Sequence, residues 1–454
     1  MRIKMDKMLI KQMRSEAEEI FQSALRAVDP YHALKRFVRA EGKILSLGLD
    51  DDPSMELDLD GFDRVFVVGG GKATAPMARA IEELIGSKIH KGLINVKYGF
   101  SERLKWIETI EAGHPLPDEN GVKGTRKILE LLEDATEKDL VFSLISGGGS
   151  ALLPHPAGNI SLSEKQTVTR ELLACGASID EINAVRKHIS ATKGGQMARA
   201  AYPARTINLM LSDVVGDRMD VIASGPFVPD QSTYEEVREI FQKYELAGIP
   251  KTVREHLRAG LEDRLPETPK VGDSIFERTS NFIVGSNILA LQAAMDEAER
   301  KEYNTLILSS MIEGETRDVA RVHSAVAKEI ANSGHPISIP ACVISGGETT
   351  VTLRGKGLGG RNQEFCLAAA IDLLSAYPHI VMLSGGTDGN DGPTDAAGAV
   401  VDPFTVLEGE KLGMDASDYL KNNDAYHFFE KTQGLLMTGP TKTNVMDVRL
   451  VLVR

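Results

Sequence analysis

Short apolar runs that stop on small residues, each followed by a segment with helical spacing, recur along this chain. They read VFVVGGGKA at 65–73, LVFSLISGGGSA at 140–151, INLMLSDVVGD at 207–217, NFIVGSN at 281–287, ACVISGGETT at 341–350 and IVMLSGGTDG at 380–389. Apolar strand, glycine turn and helix in succession predict parallel α/β sheets. The runs are apolar throughout rather than alternating, which fits strands covered by helices on both faces.

Three of these units precede residue 230 and three follow residue 280. Between them lies a charged stretch, VPDQSTYEEVREIFQKYELAGIPKTVREHLRAGLEDRLPETPKVGD, with prolines towards both ends. A boundary near residue 235 follows, giving a Rossmann-like α/β domain over 1–235 and a smaller α/β domain over 236–454, with the helical material up to about 275 opening the second domain. In open α/β sheets ligands bind outside the carboxyl ends of the strands. The glycine turns sit at those ends, so the expected ligand site is a cleft between the two domains.

Composition narrows the classes of function. The chain has 454 residues, 42% apolar and 26% charged, the profile of a folded soluble protein. Its net charge of −13 disfavours nucleic acid as the main ligand, because phosphate contact needs a basic face. Cys175, Cys342 and Cys366 form no metal-ligand spacing and no disulfide framework, and read as buried small residues in a reducing compartment. The opening MRIKMDKMLIKQMRSEAEEIF predicts an amphipathic helix rather than a signal peptide. No run approaches the ~20 apolar residues of a membrane-spanning helix, so the expectation is a cytoplasmic protein. An isologous homodimer is the default assembly for such a protein.

The turns carry the candidate chemistry. GGGKATAPMA at 69–78 lacks the Walker A pattern, since the position five before Gly71 is Phe66. Its backbone N–H groups at Gly70 and Gly71, with Lys72 beside them, still favour an anion, the plain alternative being a solvated lysine. SGGGSALL at 146–153 flanks Gly147, Gly148 and Gly149 with the hydroxyls of Ser146 and Ser150, a nest suited to a carboxylate or phosphate, and it lacks the GxSxG elbow of a hydrolase. EINAVRKHISATKGGQMA at 181–198 concentrates Arg186, Lys187, His188 and Lys193, and Arg186 and Lys193 share a face if one helix covers both. GKGLGGRNQEF at 355–365 satisfies GxGxxG through Gly355, Gly357 and Gly360, with Gly359 between, after an expected strand TTVTLR. Arg361 at the following helix start adds a guanidinium.

SGGTDGNDGPTDAAGA at 384–399 crowds Asp388, Asp391 and Asp395 into a loop without a basic side chain. Such a loop is solvated, shifted in pKa, or built for a cation. It is no EF-hand, since counting from Asp388 the sixth position is Pro393 and the twelfth Ala399. Its aspartates read as too few and too exposed for a calcium cage, while magnesium takes one or two carboxylates together with substrate phosphates. LSDVVGD offers Asp213 and Asp217 as further candidates, and next to glycines the Asp391 side chain reads equally as a turn former.

Taken in order, EAGHPLPDENG, SLISGGGSALL, INAVRKHIS, LSDVVGDRMDVIASGPFVPD, SGGETTVTLRGKGLGGRNQE and GGTDGNDGPTDAAGA resemble the class II glycerate 2-kinases, whose second half is the domain named MOFRL. The resemblance runs over nearly the whole chain. It implies transfer of the γ-phosphoryl of ATP to the 2-hydroxyl of D-glycerate with a divalent metal such as Mg²⁺, and it implies Lys72 and Arg361 as catalytic groups. On that footing Asp388 and Asp213 hold the metal. The nest at Ser146–Ser150 with Arg186 holds the substrate carboxylate, and Asp213 or Glu348 accepts the hydroxyl proton. Gly70, Gly71, Gly357, Gly359 and Gly360 then serve the nucleotide. The tail GPTKTNVMD at 439–447 departs from the family's GPTGTNVND at Lys442 and Met446. Two other readings stand beside this one: a nicotinamide-dependent hydroxypyruvate reductase, supported by the GxGxxG run, and a nucleotide-binding sensor without turnover.

Overall fold

A computed structural model describes residues 7–49, 54–373 and 377–454. The chain divides into two compact units, Pro30–Val284 and a second made of Gly285–Arg454 with the N-terminal segment ending at Asp29.

The first unit opens with a small antiparallel meander, β1 (Val38–Glu41), β2 (Ile44–Leu47) and β3 (Met55–Asp58). Its main sheet contains β4 (Arg64–Gly70), β5 (Ile89–Lys97), β6 (Ile107–Ala112), β7 (Asp139–Ile145), β8 (Arg205–Leu211) and β9 (Thr279–Gly285). The order is β6-β5-β4-β7-β8-β9, with the pairs from β6 to β8 parallel. Numbered within this sheet, that is 3-2-1-4-5-6, the doubly wound Rossmann order. The chain winds outward from β4 in one direction and from β7 in the other, so the strand order reverses between β4 and β7. A crevice opens at that switch point because the flanking connections leave on opposite sides. Phe66, Val68, Val141 and Ile145 form the core under one face with Ile128, Leu132 and Met197.

The expected boundary near 235 falls inside this unit. Helices Tyr234–Lys243 and Lys251–Leu261 bury Tyr234, Val237, Ile240, Val253 and Leu257 against Val168, Leu172 and Val185 of the preceding helices. The charged run is the outer face of these amphipathic helices rather than a linker, and β9, expected in the second domain, completes the first sheet.

The second unit is built on β10 (Asn304–Ile312), β11 (Ala341–Gly347), β12 (Ile380–Gly386), β13 (Gly398–Val401), β14 (Leu435–Leu436) and β15 (Asp447–Val453), in the order β10-β11-β15-β12-β13-β14. Only β10 and β11 pair in parallel, and the remaining neighbours are antiparallel. The expectation of a parallel sheet thus fails here: the final strand inserts between β11 and β12, and an apolar run does not reveal the direction of its neighbour. The run after β12 forms a loop to antiparallel β13 instead of a helix, and the run after β8 continues as 3₁₀ turns. TTVTLR is not a strand either, although helix Arg361–Leu373 starts where expected. The N-terminal amphipathic helix spans Lys7–Ala27 within the described residues and joins this unit. Glu16 on it accepts from Arg454 at 3.1 Å and from Tyr303. Among the described residues no helix is long and apolar enough to cross a membrane.

β15 brings Asp447 between Gly347 of β11 and Gly386 of β12. The carboxylate is fully buried and accepts from Arg361 Nε at 2.7 Å, Arg361 Nη2 at 3.0 Å, Asn362 Nδ2 at 2.9 Å and Arg449 Nη2 at 3.0 Å. Removing one partner of a buried ion pair leaves the other charge uncompensated and costs about 3–5 kcal/mol. Asp447→Ala, which strands the buried Arg449 guanidinium, is expected to lower the unfolding free energy by that amount. Urea denaturation of the variant against the parent chain measures it.

Candidate functional site

At the switch point of the first unit, three loops leave the carboxyl edge side by side. β4 ends at Gly70 and passes through Gly71, Lys72 and Ala73 into helix Thr74–Ile85. β7 ends at Ile145 and passes through Ser146, Gly147 and Gly148 into the short helix Gly149–Leu152. β8 is followed by Ser212 and Asp213. The backbone ties the first two loops together: Lys72 N–H donates to Gly147 C=O at 2.8 Å, and Ser146 N–H to Gly70 C=O at 3.4 Å. The buried Ser146 hydroxyl accepts from Ala73 N–H at 3.0 Å and lies 3.2 Å from Thr74 Oγ1. It holds the start of the helix and is not turned out to a ligand, unlike the hydroxyl role expected of it. Gly71 is required here, because a Cβ on it would lie 2.1 Å from Ser146 Oγ.

Asp213 and Lys72 face the glycine run from different loops. A Cβ on Gly147 would lie 2.2 Å from Asp213 Oδ2, so the carboxylate rests directly on that glycine. Gly148 takes φ +82°, and a Cβ there would meet the His114 ring at 2.8 Å and the Lys72 stem at 3.3 Å. Lys72 makes no ion pair or side-chain hydrogen bond with a described residue, which leaves its ammonium available above the glycines. His114 was not singled out from the sequence, although its motif was. Burial, then the positive charges of Lys72 and Lys97, push its pKa down to about 4, so the imidazole is neutral at physiological pH.

Further along the same edge, Ser150 Oγ lies 3.0 Å from Ser224 Oγ, which donates to Asn183 Oδ1 at 3.2 Å. Helix Ile179–His188 ends before Lys193, so Arg186 and Lys193 do not share a helical face as expected. The following loop instead buries Lys193 against Ser150, with Nζ 2.8 Å from its carbonyl and 2.9 Å from its hydroxyl. Arg186, half-buried, extends from the last turn of that helix.

The second unit gathers the other predicted residues at the head of helix Arg361–Leu373. Besides its two bonds to Asp447, Arg361 donates from Nη1 to exposed Glu348 at 2.7 Å. Burial alone would lower its pKa, but the Asp447 and Glu348 carboxylates override this and hold the guanidinium firmly charged. Asp391 contradicts the expectation of an exposed loop carboxylate. It is buried and accepts the N–H of Asn362 at 3.0 Å and of Gln363 at 2.8 Å, capping the helix. Burial raises its pKa to about 6, opposed by those N–H groups and by Arg361 and reinforced by Asp447. Asp388, half-buried, accepts only the N–H of Asn390 at 3.1 Å in a short turn, and exposed Asp395 accepts from Tyr426 at 2.8 Å. No group of three or more His, Cys, Asp or Glu side chains among the described residues could enclose a metal.

The GxGxxG run has a packing explanation. A Cβ on Gly355 would lie 2.1 Å from Asn422 O, on Gly357 2.3 Å from Asp424 Cβ, and on Gly360 2.4 Å from the Asp391 carboxyl. Gly359 is looser, 3.4 Å from Ala425 N. The run lies against the segment 422–425 and carries no preceding strand, so it is not a dinucleotide fingerprint. Of the cysteines, Cys342 and Cys366 are buried as expected, and Cys175 is half-exposed at a helix end.

Residues 16–258 match the family described as Domain of unknown function (DUF4147), and residues 341–447 match the MOFRL family. The chain is 42% identical to a D-glycerate 2-kinase of Thermotoga maritima, over 97% of this chain and 98% of that protein. It is 40% identical to a glycerate 2-kinase of Pyrococcus horikoshii, over 98% of each. An Agrobacterium vitis relative with a provisional hydroxypyruvate reductase name is 41% identical over 86% of this chain and 87% of its own length. The crystal structure of a Thermotoga maritima glycerate kinase superposes with a TM-score of 0.87 at 40% identity, covering 98% of this chain and 100% of that one. With both halves matched and full-length relatives at this level of identity, the chain belongs to the class II glycerate 2-kinase family.

Proposed function

We propose that this chain transfers the γ-phosphoryl group of ATP to the 2-hydroxyl of D-glycerate, giving 2-phosphoglycerate and ADP. The observation that carries the reading is the meeting of the Lys72 stem with Gly148 and of the Asp213 carboxylate with Gly147 on one glycine loop at the switch point. Phosphoryl transfer asks for little covalent chemistry from a protein, and is accelerated by positioning and charge neutralisation. A fixed cation and a carboxylate on one glycine loop supply both.

In this reading the N–H groups of Gly147–Ser150, with Arg186, hold the glycerate carboxylate. Asp213 accepts the proton of the 2-hydroxyl as its oxygen bonds to the γ-phosphorus, while the bond from that phosphorus to the leaving ADP oxygen breaks. Lys72 stabilises charge on the transferring oxygens. Gly70 and Gly71 let the backbone approach the nucleotide phosphates. Arg361, held in orientation by Asp447 and Glu348, is the guanidinium assigned to the nucleotide, and Gly357, Gly359 and Gly360 set the loop that leads into it. Asp213, whose carboxylate rests on Gly147, is the proposed base, and Glu348 pairs with Arg361.

Either Asp388 or Asp213 would supply the carboxylate that magnesium bound to nucleotide asks for beside the phosphates. Mg²⁺ carried in this way neutralises the phosphate oxygens. The reductase reading has lost its main sequence support, since packing against residues 422–425 accounts for Gly355 and Gly357 of the GxGxxG run and packing against Asp391 for Gly360.

³¹P NMR of the products from D-glycerate, ATP and Mg²⁺ is expected to give a 2-phosphoglycerate signal. A 3-phosphoglycerate signal overturns the assigned position, and NADH oxidation by hydroxypyruvate without phosphoglycerate overturns the kinase. Lys72→Met is expected to reduce kcat by about 10²–10³, the usual cost of one group that stabilises transition-state charge, with an unchanged thermal melt. Asp388→Asn is expected to raise the Mg²⁺ concentration needed for half-maximal rate. An unchanged metal titration removes Asp388 from the metal site.

A further inference from the structure

Around Ser150 the first unit collects three cations that no described carboxylate pairs with: Lys165, Arg186 and Lys193. Lys193 gives two of its three N–H groups to the Ser150 carbonyl and hydroxyl. Lys165, buried on helix Leu162–Ala174, reaches only the His155 carbonyl at 3.4 Å. The Arg186 guanidinium, with five donors, makes no hydrogen bond to a described residue. Acids on the packed elements are engaged elsewhere. Asp230 accepts from Lys187 at 3.1 Å, Glu267 from His188 at 2.8 Å, and Glu164 from Ser161 at 2.8 Å and from Thr252. Buried charges are ordinarily paired, so donors left open among unbalanced cations define a place for an anion.

We propose that Lys165 and Lys193 join Arg186 and Ser150 as the site that takes the carboxylate of the acceptor substrate. This rests on the kinase reading above and adds two residues that it does not use. In the empty site the cations oppose one another. Burial, then Lys165 and Arg186, hold Lys193 well below the usual lysine range, and burial, then Arg186, bring Lys165 down to about 7. An arriving carboxylate provides the missing counter-charge and favours the charged amines. Above pH 7 Lys165 is largely neutral in the empty site and charged in the filled one, so substrate binding there draws a proton from solvent. Below pH 7 Lys165 already carries its proton and contributes no uptake.

Isothermal titration of D-glycerate into the intact protein tests this, at pH 8 in Hepes and in Tris, with a non-hydrolysable ATP analogue and Mg²⁺ present so that binding order does not matter. The expected result is a heat that differs between the buffers by their ionisation enthalpies, in the sense of proton uptake. Lys165→Met, checked by circular dichroism, is expected to bind glycerate about tenfold or more weakly and to reduce the buffer dependence. The parent chain alone decides if that variant does not fold. Glycerate binding with equal heat in both buffers overturns the proposal, as does uptake that accompanies the nucleotide analogue and not glycerate. Absence of glycerate binding overturns it as well. The kinase reading fails separately, by absence of phosphoglycerate in the NMR assay.

Discussion

A carboxylate with no access to water, at the head of the last strand, fixes the working edge of the second unit. Asp447 stands between the terminal glycines of β11 and β12, which run parallel to each other only because β15 separates them. Away from water it is held by Arg361, Arg449 and Asn362 together, as buried polar groups require partners. Each of those contacts has a structural consequence. Arg361 and Asn362 set the first turn of their helix against the sheet, and Arg449 threads beneath the edge to Thr349 and over the Phe365 ring, 5.6 Å from its centroid. Asp391 completes the arrangement by capping the same helix from the other side. The arginine assigned to the nucleotide thus owes its orientation to a residue 86 positions further along the chain.

The charged residues around Arg361 and those around Ser150 are handled differently. In the second unit, cations and carboxylates are matched: Arg361 with Asp447 and Glu348, and Arg317 with Glu364 at 2.6 Å. In the first unit, the edge of the Rossmann-type sheet leaves Lys72, Arg186, Lys193 and Lys165 without carboxylate partners among the described residues. Matched charges hold a geometry, whereas unmatched ones hold a potential, and a small anionic substrate responds to the second. A chain with a net charge of −13 therefore binds an anion through local design rather than overall attraction.

The sequence disclosed what is local. Apolar runs ending in small residues located β4, β7, β8, β9, β11 and β12 but not the other strands, and spacing located the helices at Lys7, Thr74 and Arg361 to within the usual uncertainty of ends. It did not disclose what depends on distant pairing. The first helix packs in the second unit through Glu16, Tyr303 and Arg454, a partnership visible only once the chain has folded back. The insertion of β15 was equally hidden, and with it the partner of Arg361. Lys193 was noticed for a helical spacing that does not exist, yet a loop brings its ammonium to Ser150. His114 lay in a quoted motif, but its proximity to Lys72 belongs to the meeting of loops from different strands.

The acidic loop shows why a cluster of like charges in sequence is a poor guide to a metal cage. Its three aspartates do not converge on a common point. Asp391 turns inward to two helix N–H groups, Asp388 closes a short turn on Asn390, and Asp395 meets Tyr426 at the surface. Asp391 is thus taken up by the helix end, while Asp388 and Asp395 each accept one hydrogen bond and keep most of their acceptor capacity. One such group is too little for a resident cation and enough for a cation delivered by phosphates. The glycines that make the loop look like a metal site have their own reason. Gly389 takes φ +87° and lies so close to the carbonyl of Gly439 that a Cβ would come within 2.1 Å of its oxygen. Tight backbone packing at Gly389 thus accounts for part of the loop's composition without any cation.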